Sequence, residues 1–436
     1  MRGMKKFFSA SSRFVLRHYL LIILAFASYR AATIHVRFWN GLLWSDAEGY
    51  YLYLPALFIN GGFEDLFVRS EGQFPFFPET NKRFTKYTYG VALMQAPFFL
   101  AGHGVAKLTG QPADGYSAPY IRAVQLAALL YGFLGLLVLK RILLRHFSSR
   151  IVFMAVVGLY FGTNLMHYHI QEPGMSHIYS FCLFALFIYY TPRFYDAPSW
   201  RIVAWLAFLL GLTTLIRPTT ALLGLYLLFY NVDSRAALRE RWKFFIHHHK
   251  ILLVAPAVVL LVWFPQFAYW KYISGDWLIY SYGKEGFIYW NSPKFYKVLF
   301  YIQNGWLLFS PMAGLAVAGC LLGSWKNQYN IAVIFFILLL STYLFASWWC
   351  WWFGGALGQR SYVELYTLLA FPYAYLIQLI FRQRWLIPKI VFVLLWLALM
   401  HYGYFLTVYY TGPHYEVWEL ELVRQWALHF NYWQKL

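Results

Sequence analysis

Apolar runs of about 20 residues, the length a helix needs to cross the hydrocarbon core of a bilayer, recur along this chain from Tyr19 to Tyr410. Backbone polar groups cannot stay unpaired in lipid, so such a chain folds as a bundle of spanning helices. Only 12% of residues are charged, 61% are hydrophobic, and mean hydropathy is +0.49. The predicted fold class is therefore an all-α polytopic membrane protein, with residues 1–436 forming a single transmembrane domain.

Charge orients the bundle. Arg2, Lys5, Lys6, Arg13 and Arg17 precede the first apolar run. They read as the cytoplasmic flank of an uncleaved signal anchor running from Tyr19 to Ile34. Residues 36–119 then form a long first extracytoplasmic loop. Within it, Thr88–Leu108 is apolar but carries Pro97, His103 and Lys107. If it crossed, Lys140, Arg141, Arg145 and Arg150 after the next span would face outward. It is therefore read as an interfacial or re-entrant helix.

Further spans follow at 121–139, 151–166, 178–190, 202–216, 219–230, 252–269, 306–322, 331–347, 366–381 and 390–410. With the first run this gives about eleven of ordinary length. The most basic segment, Arg235 to Lys250 with His247-His248-His249, is a cytoplasmic loop, and its histidines read as surface charge. Residues 411–436, with Glu416, Glu419 and Glu421, form a short extracytoplasmic tail and no separate soluble domain. The location implied is the inner (plasma) membrane, with the N-terminus in the cytoplasm.

The net charge of +19 has no soluble basic domain to carry it. Anionic lipid headgroups and lipid phosphates suit it better than nucleic acid. Cys182, Cys320 and Cys350 have no metal-like spacing and indicate no disulfide framework. No Walker A, GxGxxG, GxSxG or HExxH element occurs.

The unusual residues all fall on outer loops. Acidic residues number only 17, yet Asp46 and Glu48 sit together among aromatics at a membrane edge. A carboxylate there is costly unless used or paired. Asp46 suits a general base on an acceptor hydroxyl, amine or amide, and as an ordinary helix N-cap it would be plain structure. Glu172 lies in a turn with His167, His169 and His177. Glu172 and His177 are candidates for an acceptor or a divalent cation such as Mg²⁺, but no spacing is diagnostic; His167 and His169 read as interfacial anchors. Arg360 follows Gly354, Gly355 and Gly358, which allow close backbone approach to a ligand. A guanidinium there can grip a phosphate, and the aromatic run before it suits an isoprenoid chain. Arg217 at a membrane edge calls for an anion, either a phosphate or a carboxylate such as Glu172. Lys284 is a further phosphate candidate or one half of a solvated pair with Glu285.

With these residues laid out, the chain resembles the GT-C glycosyltransferase superfamily, which includes protein O-mannosyltransferases and aminoarabinose transferase. Asp46 matches the essential Asp of its first outer loop, which in that family also holds interfacial helices. Glu172 matches a second acidic position, although Glu172-Pro173-Gly174 departs from the acidic pair. Leu215-Ile216-Arg217-Pro218-Thr219 is similar to a hydrophobic-Arg-Pro-Thr element of bacterial members, and Trp352 to Arg360 is similar to their donor phosphate loop. The resemblance implies an enzyme moving a sugar from a polyprenyl-phosphate-linked donor to a lipid, glycan or protein acceptor, with inversion, on the extracytoplasmic face. A lipid-linked glycan or small-solute transporter, or a surface-polysaccharide ligase or polymerase, stands as the alternative.

Overall fold

The computed structural model describes residues 2–33, 42–355 and 357–409. Side chains are described from Phe14 onward, apart from 326 and 409. The tail at 411–436, the chain at 34–41 and Ala356 lie outside the described residues.

The chain is a bundle of helices: α1 (Arg2–Thr33), α2 (Asp46–Tyr51), α3 (Gly90–Leu108), α4 (Ala118–Leu143), α5 (Ser149–Gly162), α6 (Leu165–Ile170), α7 (Ser176–Asp196), α8 (Trp200–Ile216), α9 (Arg235–His247), α10 (Val254–Ser274), α11 (Met312–Gly323), α12 (Ile331–Ser347), α13 (Tyr366–Arg382) and α14 (Leu386–Tyr409). Shorter helical turns connect them. A two-residue antiparallel pairing, Phe76–Phe77 with Lys82–Arg83, closes a hairpin in the first loop.

Among the described residues, five helical stretches are long and apolar enough to cross a membrane: Phe14–Thr33, Ala118–Leu143, His249–Ser274, Gln328–Ser347 and Leu386–Val408. Four shorter apolar ones join them, at Ser149–Gly162, Trp200–Ile216, Pro218–Leu228 and Met312–Gly323. About eleven spans of ordinary length is therefore not what length and apolarity deliver. Two expected spans are broken. The run 151–166 stops at Gly162, where Thr163 is extended. The run 306–322 is cut at Ser310-Pro311, between Trp306–Phe309 and α11. Lipid-facing character shows on α10, whose Leu260, Leu261 and Phe264 are exposed.

Helix ends follow local chemistry. The side chains of Ser199 and Ser234 cap α8 and α9 by accepting from Ile202 N and Ala237 N. Pro218 disfavours a helical conformation for the residue before it. Arg217 is accordingly extended (φ −151°, ψ 113°) and ends α8. The basic segment expected as a loop is mostly α9.

Antiparallel packing sorts the loops to two ends. At one end Lys140 Nζ donates to Arg17 O at 3.2 Å, and Asn327 Nδ2 donates to Val232 O at 2.9 Å. That end also holds Arg145, whose guanidinium lies 4.3 Å from the Tyr189 ring centre, and α9. At the other end lie the segments entering α3, α7 and α13 and those leaving α8, α10 and α12. Helix α3 packs antiparallel to the first half of α4: His103 meets Tyr120, and Tyr131 OH donates to Met94 O at 3.2 Å.

Candidate active site

A cavity of about 320 Å³ opens among the loops of that second end. Asp46, Lys86, His177, Arg217 and Arg360 supply its polar wall; Trp348, Trp349, Phe345 and Phe353 supply much of its apolar one.

Asp46 begins α2, directly after Ser45, whose φ of 54° is rare for a non-glycine residue and marks a tight entry. One carboxylate oxygen, Oδ2, receives the guanidinium of Arg360, and the other, Oδ1, accepts from Tyr87 OH. Gly49 makes this possible: a Cβ there would lie 2.2 Å from the Tyr87 ring. Burial pushes the Asp46 carboxyl up, but Arg360, the Tyr87 hydroxyl and Lys86 outweigh it and hold it below the usual carboxylate range. Arg360 is desolvated too, yet the facing Asp46 keeps its pKa above the ordinary arginine value.

The loop carrying Arg360 is fixed from several sides. Asn304 Nδ2 donates to Trp352 O (2.9 Å) and Gly354 O (2.8 Å), Asn164 Nδ2 to Leu357 O (3.1 Å), and Gln359 Nε2 to Trp351 O (2.6 Å). Gly358 turns the chain at φ 62°, a left-handed value open to glycine. The aromatic side of the loop continues outward, with Trp348 edge-on to Tyr282 (5.8 Å) and Phe287 (5.0 Å).

Arg217, ending α8, sends Nη2 to Ser361 Oγ (3.0 Å) and Nη1 to within 3.1 Å of His177 Nδ1. Its carboxylate partner is Glu364 at 3.7 Å, in place of the expected Glu172. His177 Nδ1 is also 3.2 Å from Glu364 Oε2.

The remaining candidates lie off the cavity. Glu48 is fully buried and accepts from Arg69 N (2.6 Å), Ser70 N (2.9 Å) and Tyr116 OH (3.3 Å). It clasps the loop onto α2 and does not line the cavity. Glu172 pairs with His167 at 3.2 Å. His169, expected at the interface, is buried between Tyr160 OH (2.9 Å) and Leu129 O (3.2 Å). Lys284 is exposed and does not line the cavity; its neighbour Glu285 pairs with Lys86. Among the described residues no three His, Cys, Asp or Glu side chains gather where an ion would sit, and Asp46 has both oxygens occupied. The residues present do not fit a divalent-cation site, and no step below is routed through one.

Lys86, Tyr87 and Glu364 escape the sequence reading, which offers Glu285 as a partner of Lys284 and not of Lys86. For Glu364 a signal existed: a lone carboxylate at the head of an apolar span, the same argument that singled out Asp46.

No family model matches the chain, and no curated protein matches it. Among solved structures, the chain is similar to the apo oligosaccharyltransferase of Archaeoglobus fulgidus at a TM-score of 0.51 and 11% identity, over 89% of this chain and 55% of that one. The chain thus spans about half the length of that protein and shares its fold.

Proposed function

We propose that the protein is a membrane glycosyltransferase that moves a sugar from a polyprenyl-phosphate-linked donor to an acceptor at the extracytoplasmic face, with inversion at the anomeric carbon. The observation that carries this reading is the meeting of Asp46 and Arg360, 314 residues apart, on one cavity wall. A fold shared with an oligosaccharyltransferase supports the same reaction class.

In this reading the donor phosphate docks on Arg360 and Arg217, and its prenyl chain follows Leu344, Phe345, Trp349 and Phe353. The phosphate takes Arg360 from Asp46, which leaves the carboxylate more basic. Asp46 then removes the proton of an acceptor hydroxyl, amine or amide. The acceptor atom bonds to the anomeric carbon as the carbon–oxygen bond to phosphate breaks. The electron pair leaves on the phosphate oxygen, where the guanidinium groups stabilise it. Attack opposite the leaving group inverts the centre.

Purified protein supplied with polyprenyl-phosphate sugars tests this. Asp46→Asn should lower turnover by about 10²–10⁴, the usual worth of a general base, while retaining donor binding. Near-normal turnover in that variant, or flux of lipid-linked sugar across proteoliposomes with no transfer, would overturn the reading.

A further inference from the structure

Glu364 stands behind the cavity wall, 2% exposed, and touches no ligand space itself. Its two contacts are Arg217 and His177, both of which line the cavity. The three form a closed triangle: Arg217 Nη1 to His177 Nδ1 at 3.1 Å, His177 Nδ1 to Glu364 Oε2 at 3.2 Å, and Glu364 Oε1 to Arg217 Nη1 at 3.7 Å.

The hydrogens in this triangle cannot satisfy every edge at once. A guanidinium N–H is always a donor, so Nδ1 bonds Arg217 only when it carries no proton. It then meets Glu364 favourably only when that carboxyl is protonated. With Glu364 ionised, Nδ1 must carry the proton and donate to the carboxylate. Arg217 Nη1 then faces a donor at Nδ1 and is left only the longer contact to the Nε2 lone pair at 3.5 Å, and the carboxylate draws Arg217 back toward itself.

We propose that Glu364 is a positioning residue for Arg217, and that through the nitrogen shared with His177 it governs how much guanidinium charge an anionic ligand in the cavity meets. This rests on the cavity being a lipid-phosphate site. Burial pushes the Glu364 carboxyl up to about 7, with Arg217 opposing, so the two arrangements exchange near neutral pH. Among the described residues the other charged or titratable groups around the triangle are Arg360 from the neighbouring turn, Tyr168 of α6 against the imidazole, Tyr366 of α13, and Tyr50 of α2 and Tyr282 on the Arg217 side. Of all these groups, His177 alone shares an ordinary range near neutrality, and burial with the charges of Arg217 and Arg360 pushes it well below that range.

The sign follows from linkage. A bound anion beside Arg217 favours the neutral carboxyl, so binding takes up proton and weakens as pH rises. The probe is geranylgeranyl methyl phosphate, a diester whose single charge is fixed over the range. Its affinity for the full chain, read by tryptophan fluorescence, should be about fivefold weaker at about pH 8 than at about pH 6, within the limit of about tenfold that a change of one in a pKa sets. Glu364→Gln should flatten this dependence. Glu364→Asp, which keeps a titrating carboxyl, should retain a step displaced in pH and serves if the glutamine variant fails to fold. A step that survives unchanged in Glu364→Gln belongs to His177 and overturns the proposal alone, as does its absence in both Glu364→Asp and the native chain. No binding by any of the three overturns the lipid-phosphate reading as well.

Discussion

Asp46 stays charged in a desolvated position because Arg360 and Tyr87 hold its two oxygens. Its pKa is depressed, so as the proposed base it would be ionised at neutral pH and would limit activity only in acid. Removing either partner moves that limit in a known direction. Arg360→Ala removes the largest contribution opposing burial and leaves only Tyr87 and Lys86 against it, so the acid limb of the pH–kcat/KM profile should move to higher pH, and prenyl-phosphate affinity should fall. Tyr87→Phe should shift the limb the same way by less and leave affinity near that of the native chain. An acid limb unmoved in both variants would remove Asp46 as the titrating base. Asp46 and Arg360 were legible because charge is scarce in this chain and both stand beside apolar runs. Lys284 and Lys86 were not separable by that logic, since each sits in a polar loop and only the folded chain decides which turns inward.

The short helix α2 is a platform, and Glu48 is what fastens it. Its carboxylate gathers the N–H groups of Arg69 and Ser70 and the hydroxyl of Tyr116, tying together three parts of the first loop. Glu48→Ala would leave the Arg69 and Ser70 N–H groups without this acceptor at about 1–3 kcal/mol, while Tyr116 OH keeps Phe67 O at 3.2 Å. The expected result is a lower midpoint of thermal unfolding in detergent, with turnover per folded molecule largely kept; a loss matching that of Asp46→Asn would return Glu48 to the chemistry. Gly49→Ala acts on the same platform, because the added Cβ displaces the Tyr87 ring. Its pH profile should follow that of Tyr87→Phe. The helices themselves were largely readable: α12 runs from Ile331 to Ser347 as hydropathy implies. What hydropathy did not carry were the interruptions at Thr163 and Ser310. There Thr163 Oγ1 donates to Leu159 O (2.6 Å), and Asn164 N donates to Ser310 Oγ (3.1 Å). The second bond joins segments 146 residues apart, so no local pattern announces it.

At the scale of the whole molecule, the cavity and the most basic segment, α9, occupy opposite ends. The cavity lies at the end where α8 and α12 finish and α7 and α13 begin, while Lys140, Arg145, Arg193 and α9 lie at the other. Excess Lys and Arg on short loops holds those loops in the cytoplasm, so the cavity should open outside, where a lipid-linked sugar presents its headgroup. Two exposed positions report the two ends: Glu71, with its side chain 77% exposed, and Lys243, at 72%. The native thiols interfere little, since Cys182 and Cys320 are buried and Cys350 can be replaced by serine. In that background a membrane-impermeant maleimide on intact spheroplasts should label Glu71→Cys and spare Lys243→Cys, and inverted vesicles should reverse the result. Labelling of Lys243→Cys from outside would turn the bundle over. Asp46 and Arg360 would still share a cavity, but one facing the cytoplasm, and a transferase fed by a lipid-linked donor on the outer leaflet would lose its substrate.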